Sequence, residues 1–167
     1  PDTLTISDTT DGAKGSVTIT NGGDDLSYDP DPNETGADTF TYTVSDGNGG
    51  TDIGTVTVII ASVNDVPSGS NGTISLIEGG TYVFDVSDFG FSDPNDSPPN
   101  TLNTVRFVTL PALGVIRLNG VAIDANDSVS AADVIGNDVT YTPAANASGN
   151  GYASFTFQVS DNGGTAN

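Results

Sequence analysis

The chain has 167 residues, room for two small β-sandwich modules of roughly 80 to 110 residues each. Twenty-two acidic residues stand against only Lys14, Arg106 and Arg117, a formal charge of −19 that repels nucleic acid and anionic membranes. Cys, Met, Trp and His are absent, which excludes disulfides and leaves only oxygen for holding a metal.

Strand periodicity begins at once, with Leu4 and Ile6, then Val17 and Ile19, each apolar residue separated from the next by a polar one. Phe40, Tyr42 and Val44 continue it, and Val56, Val58 and Ile60 follow across the hairpin loop Gly47-Asn-Gly-Gly50. Beyond Pro67 come Tyr82 and Phe84, then Val105 and Phe107. Ile116 and Leu118 lead through Asn119-Gly120, a type I′ turn signal, to Val121 and Ile123. The last pattern is Phe155, Phe157 and Val159. No window keeps apolar residues at i, i+3, i+4 and i+7 for the length of a helix, so the expected fold is all β.

The chain also repeats itself. Tyr28-Asp-Pro30 followed by Phe40-Thr-Tyr42-Thr-Val44-Ser-Asp46 matches Tyr141-Thr-Pro143 followed by Phe155-Thr-Phe157-Gln-Val159-Ser-Asp161. Upstream, Gly15-Ser-Val17-Thr-Ile19 matches Gly114-Val-Ile116-Arg-Leu118. Residues 68–100 have no counterpart before Pro1, and the strand Ile53 to Ile60 has none after Asn167. The expected organisation is a module at 1–62 lacking its N-terminal strands, a linker at 63–67, and a module at 68–167 lacking its C-terminal strand. Two explanations stay open: a fragment cut out of phase with its domains, or strands supplied by another copy in a head-to-tail filament.

The run from Phe40 to Pro67, FTYTVSDGNGGTDIGTVTVIIASVNDVP, resembles the end of a cadherin repeat and its linker. It is similar above all to the cadherin-like, Ig-like modules of large type I-secreted (RTX-type) bacterial surface adhesins. The segments FGFSDPNDSPPNTL, TLPALGVIRLNGV and YTPAANASGNGYASFTFQVSD resemble a module of the same proteins. The resemblance implies two tandem cadherin-like β-sandwiches stiffened by calcium, a hard cation that takes six to eight oxygen ligands.

That resemblance also implies a ligand set. Asp31 lies fifteen residues before Asp46, as the acidic strand-connecting motif lies before the later acidic turn, and Glu34 follows one residue off the pattern. Asn64 and Asp65 correspond to the linker pair, with Ser62 where an acid usually precedes them. Asp93, Asn95 and Asp96 resemble the paired-aspartate loop, Asn100 or Asn103 follows as a further carbonyl ligand, and Asp161 occupies the acidic turn. Asp46 and Glu78 fall to flanking junctions. Each of these residues also fits a plain turn, because Asp and Asn cap backbone and tolerate left-handed conformations. The uncompensated charge favours metal for the set as a whole. Asp29-Pro-Asp31-Pro-Asn33 opens like an EF-hand loop but has Glu34 where glycine is needed and Phe40 where the bidentate acid belongs.

The residue types argue against an enzyme: Lys14 is the one lysine, and Glu34 and Glu78 are the only glutamates for a glycosidase pair. The expected function is a calcium-dependent adhesion or structural module at the bacterial cell surface or outside the cell. Its partners are neighbouring modules of the same protein, with strand exchange between copies and surface glycans left open, and with no nucleic acid and no membrane insertion. A filament or surface-layer subunit and a carbohydrate-binding sandwich are the competing readings. The latter lacks tryptophan for a sugar platform.

Overall fold

In the computed structural model, which describes residues 2–164, the alternating patterns become strands. The chain divides into two compact units, Pro1–Val63 and Asn64–Asn167. The outermost positions of the two expected modules, Pro1 and 165–167, lie outside the described residues.

Unit 1 holds β1 (Thr5–Thr9), β2 (Gly15–Thr20), β3 (Asp25–Pro30), β4 (Gly36–Ser45) and β5 (Thr51–Ile60). β4 is the central strand of a β1-β4-β5 sheet, and β2 and β3 form a hairpin. The β4–β5 hairpin runs in unbroken antiparallel register from Gly36 opposite Ile60 to Ser45 opposite Thr51. Phe40 of β4 is buried with Val17 of β2 and lies parallel to the Tyr28 ring of β3, centroids 6.0 Å apart. Asp38 has the strand parity of Phe40 and therefore points inward with it. Its carboxylate is buried but saturated: it accepts from the backbone N–H of Ala13 (2.9 Å), Lys14 (3.0 Å) and Thr39 (2.9 Å) and from the Tyr28 hydroxyl (2.7 Å). This network satisfies the acceptor sites that burial would otherwise leave bare.

Unit 2 is a two-layer sandwich. One sheet has the order β10-β7-β12 and the other β6-β11-β8-β9. The strands are β6 (Tyr82–Val83), β7 (Leu102–Thr109), β8 (Val115–Leu118), β9 (Val121–Ala122), β10 (Ser128–Ser130), β11 (Val139–Thr142) and β12 (Thr156–Asp161). Alternate residues of both sheets point into a shared core: Val105, Phe107, Val129 and Val159 from the first, Ile116, Val139 and Tyr141 from the second. Phe84, Phe89, Phe107, Phe155 and Phe157 form a connected set of rings with centroids 5.2 to 6.2 Å apart, largely edge-on. Burying each such ring contributes about 1.5–3 kcal/mol. Unit 1, with fewer large side chains inside, has the thinner core.

The all-β expectation is met. A short helix, α1 (Ala131–Ile135), and a 3-10 turn at Val86–Phe89 interrupt the strands. Both begin at capping boxes, Ser130 with Asp133 and Asp85 with Asp88, and both bury one side chain, Val134 and Phe89. Local side-chain capping makes these single turns; they are too short for apolar periodicity to register. The 3-10 turn also ends the Tyr82, Phe84 pattern early, so β6 stops at Val83.

The internal repeat reappears as geometry. Tyr28 pairs with Val17, and Tyr141 with Ile116, in the same register. At Gly15 a Cβ would fall 2.6 Å from the Tyr28 hydroxyl oxygen, and at Gly114 the same distance from that of Tyr141. Each glycine thus lets a tyrosine lie across the neighbouring strand. Asn119 and Gly120 both take positive φ, 51° and 79°, the type I′ turn expected between β8 and β9.

Candidate metal centre

Unit 2 gathers acidic side chains from three separate stretches at one end. The first stretch is the entering segment: Pro67 is fully buried, and Ser68 exchanges backbone hydrogen bonds of 2.8 Å with Ser92. That bridge lays Asn64 and Asp65 beside the loop after Ser92, so two residues expected in a linker pack as part of unit 2. The second stretch is the loop Asp93-Pro-Asn-Asp96, which turns both aspartates inward, each only 6% exposed, and leaves Asn95 outside. The third is the end of β12, where Asp161 is fully buried.

Hydrogen bonds tie the three together. Asp96 accepts from the Asp65 backbone N–H at 3.0 Å and from the Asn100 amide at 2.7 Å. The Asn100 amide also donates to the Asn64 side-chain oxygen. Asp161 folds its Oδ1 onto the N–H of Gly163 at 2.7 Å, and Asn162 exchanges hydrogen bonds with the backbone of Thr101. Gly163 then packs so closely that a Cβ there would collide with Asn64 and Asn100.

Three oxygens stay unserved. Both carboxylate oxygens of Asp93 and Oδ2 of Asp161 are buried and, among the described residues, have no hydrogen-bond donor. Burial pushes the Asp93 carboxyl above its ordinary range, and close approach to Asp96 and the charges of Asp96, Asp161 and Asp65 push it the same way. Ionised buried oxygens without donors are costly, and native folds retain very few. The donor set is entirely oxygen and negative, and among the described residues no lysine or arginine forms an ion pair with it; Arg106 binds Gln158 and Asn126 on β7's exposed side. The chemistry of this set fits a hard cation. Among the described residues, no three acidic groups close on one point as ligands of a held ion do; the Asn100 amide bridges Asp96 and Asn64 instead.

Of the other candidate residues, Asp31, Glu34 and Asp46 belong to unit 1 and Glu78 to unit 2. Asp31 is exposed in unit 1, and Glu34 beside it faces Lys14 at 3.9 Å. Asp46 accepts from Asn48 (2.8 Å) and Gly50 (2.9 Å) within its own hairpin loop, and these backbone N–H groups lower its pKa. Glu78 is exposed. Two residues mattered more than the sequence showed. Asn100, rather than Asn103, joins the cluster. Asp38 is a buried carboxylate that its inward strand parity signals, although its role is structural.

Fold and site together define an all-β protein of Ig-like sandwich type with an acidic, oxygen-lined centre in its second unit. Residues 1–59 match the family model of the bacterial Ig domain, covering nearly all of unit 1 and none of unit 2. That similarity supports a bacterial Ig-like module; such domains are typically non-catalytic structural modules, usually extracellular or on the cell surface. No curated protein and no solved structure matches the chain. No helix among the described residues is long and apolar enough to cross a membrane.

Proposed function

We propose that the chain is a calcium-stabilised spacer or adhesion module of a large bacterial surface or secreted protein, with its ion-binding centre built within unit 2. The supporting observation is the trio of buried carboxylate oxygens without donors, on Asp93 and Asp161. Asp93, Asp96 and Asp161 would hold the ion, with Asn64, Asp65 and Asn100 close enough to contribute. A bound divalent cation supplies the positive charge that this centre lacks.

The consequence is mechanical. Asn64 and Asp65 are the first residues of unit 2, directly after the point where unit 1 ends. Neutralising the carboxylates beneath them fixes this segment onto the sandwich and removes freedom from the hinge. Extracellular calcium sites have affinities of about 0.1 to 1 mM, so such a segment would be loose in the cytoplasm and set after export.

A thermal melt in excess EDTA and then in a few millimolar calcium tests this, with magnesium at equal ionic strength as the control for simple screening. At ten times Kd, one ion adds roughly 1.4 kcal/mol, on the order of 5–10 °C for a unit of this size. Asp93→Ala should abolish the calcium-specific rise. Identical curves in calcium and magnesium would sink the proposal.

A further inference from the structure

The three buried carboxylates of unit 2 are not served alike. Among the described residues, Asp93 has a donor on neither oxygen and Asp161 on one, from the Gly163 N–H. Asp96 has both oxygens bonded: Oδ1 takes the Asp65 backbone N–H at 3.0 Å and Oδ2 takes the Asn100 amide at 2.7 Å. The same Asn100 amide donates to the Asn64 side-chain oxygen, so one neutral side chain ties the entering segment to the loop after Ser92.

The partners fix which end of the Asn100 carboxamide makes these bonds. A carboxylate oxygen only accepts, so Asp96 requires an N–H. The Asn64 amide donates to the Asp65 carbonyl oxygen at 3.1 Å, which leaves the Asn64 oxygen to face Asn100 as a second acceptor. Two N–H bonds on one nitrogen answer both. Of the residues close enough to contribute to the centre, Asn100 is therefore the one that turns a side-chain donor, with its partial positive charge, onto a carboxylate. No three acidic groups among the described residues converge on one point, and the Asn100 nitrogen holds one oxygen of Asp96 in a bond of its own.

We propose that the Asn100 amide is a built-in substitute for the cation: in the ion-free chain its nitrogen ties Asp96 to Asn64, and it must release Asp96 Oδ2 before that carboxylate can join Asp93 and Asp161 on an ion. This rests on the reading of the centre as a cation site. Asn100 is then a positioning residue that keeps the centre assembled while empty and lowers its affinity. An interaction made only in the ion-free state opposes binding by its own strength, whereas a ligand oxygen favours it, so the two roles differ in sign. The amide's bond to a charged acceptor belongs to the stronger class of hydrogen bonds, so the opposition is large enough to measure.

The probe is calcium chloride, titrated into the full chain and into Asn100→Ala, with the side-chain amide signals of the wild type followed by NMR. The variant should bind calcium about tenfold more tightly, although it melts below the wild type in EDTA. The Asn100 amide protons, identified by their absence from the variant's spectrum, should exchange slowly in EDTA and fast in saturating calcium. This second reading needs only the wild type, so it stands even where the variant folds poorly. Weaker calcium binding by Asn100→Ala would make Asn100 a ligand through its oxygen and overturn the proposal while leaving the cation site in place. Amide protons equally protected with and without bound calcium would overturn it too, by showing that the bond to Asp96 is never released. Calcium binding by neither chain would remove the cation site itself, and this inference with it.

Discussion

The Tyr28 hydroxyl donates to Asp38 Oδ2 at 2.7 Å, joining the β2-β3 hairpin of unit 1 to its three-stranded sheet. The bond works on both partners. Tyr28's hydrogen bond, helped by the backbone N–H groups of Ala13, Lys14 and Thr39, holds the Asp38 carboxyl down at about 2, while burial and then Asp38 push the Tyr28 hydroxyl up to about 12.

The sign for each follows from which state holds more protons. Between about pH 2 and the ordinary aspartate value near 3.9, the unfolded chain binds the proton that folded Asp38 refuses, so this stabilisation is present above that window and lost as pH falls through it. Tyr28 is the reverse: its contribution is present below its ordinary value of about 10 and lost as pH rises towards 12. Acid and alkaline melts of the wild type and Tyr28→Phe should show the variant less stable at neutral pH by several degrees, with its acid transition moved to higher pH. Superimposable acid transitions would show that the bond does not hold the sheets.

At the candidate metal centre, Asp161→Asn changes charge without changing size. In EDTA the variant should melt above the wild type, because a buried charge with one oxygen unserved has been removed. In millimolar calcium the order should reverse, since a ligand charge is gone. A variant that is less stable in both buffers would mean that the Asp161 charge is satisfied without metal.

The two glycines under tyrosines give a matched pair. Gly15→Ala places a Cβ 2.5 Å from the Asp29 carbonyl oxygen and 2.6 Å from the Tyr28 hydroxyl; Gly114→Ala places one 2.6 Å from the Tyr141 hydroxyl and 2.7 Å from the Thr142 carbonyl oxygen. Each should cost about 1–3 kcal/mol by overpacking. Gly114→Ala should cost more, because its φ of +89° also strains an L-residue. Separate calorimetric transitions should move one unit at a time.

In the core of unit 2, Phe107 is fully buried and meets the rings of Phe84, Phe89 and Phe155. Phe107→Ala should cost about 3–5 kcal/mol, read from the denaturant midpoint of that unit. Phe40→Ala, in the thinner core of unit 1, should move only the other transition.

The strands were legible because period-two alternation is a local property: each of β4, β5, β7 and β12 shows its inward face without reference to the rest of the chain. The same holds for the type I′ turn at Asn119-Gly120, and for the repeat, whose glycine–tyrosine pairs keep one register in both units. Oxygen-only metal chemistry followed from composition, since a chain without Cys or His offers nothing softer. The single turn of α1 was missed because five residues held by a capping box leave no periodic trace.

Which acids gather was decided by tertiary structure alone. Asp46 and Asp161 hold equivalent places in the repeat, and both accept a backbone N–H two residues on, yet Asp46 is half-buried with both turn donors in reach while Asp161 is sealed with one oxygen unserved. The difference comes from what packs above each turn: the entering segment at Asn64 and the loop through Asp96 and Asn100 are brought to Asp161 from far along the chain. Sequence sets a carboxylate's place on its strand, but its desolvation depends on neighbours that only folding delivers, and that desolvation makes one aspartate a turn residue and the other a candidate ligand.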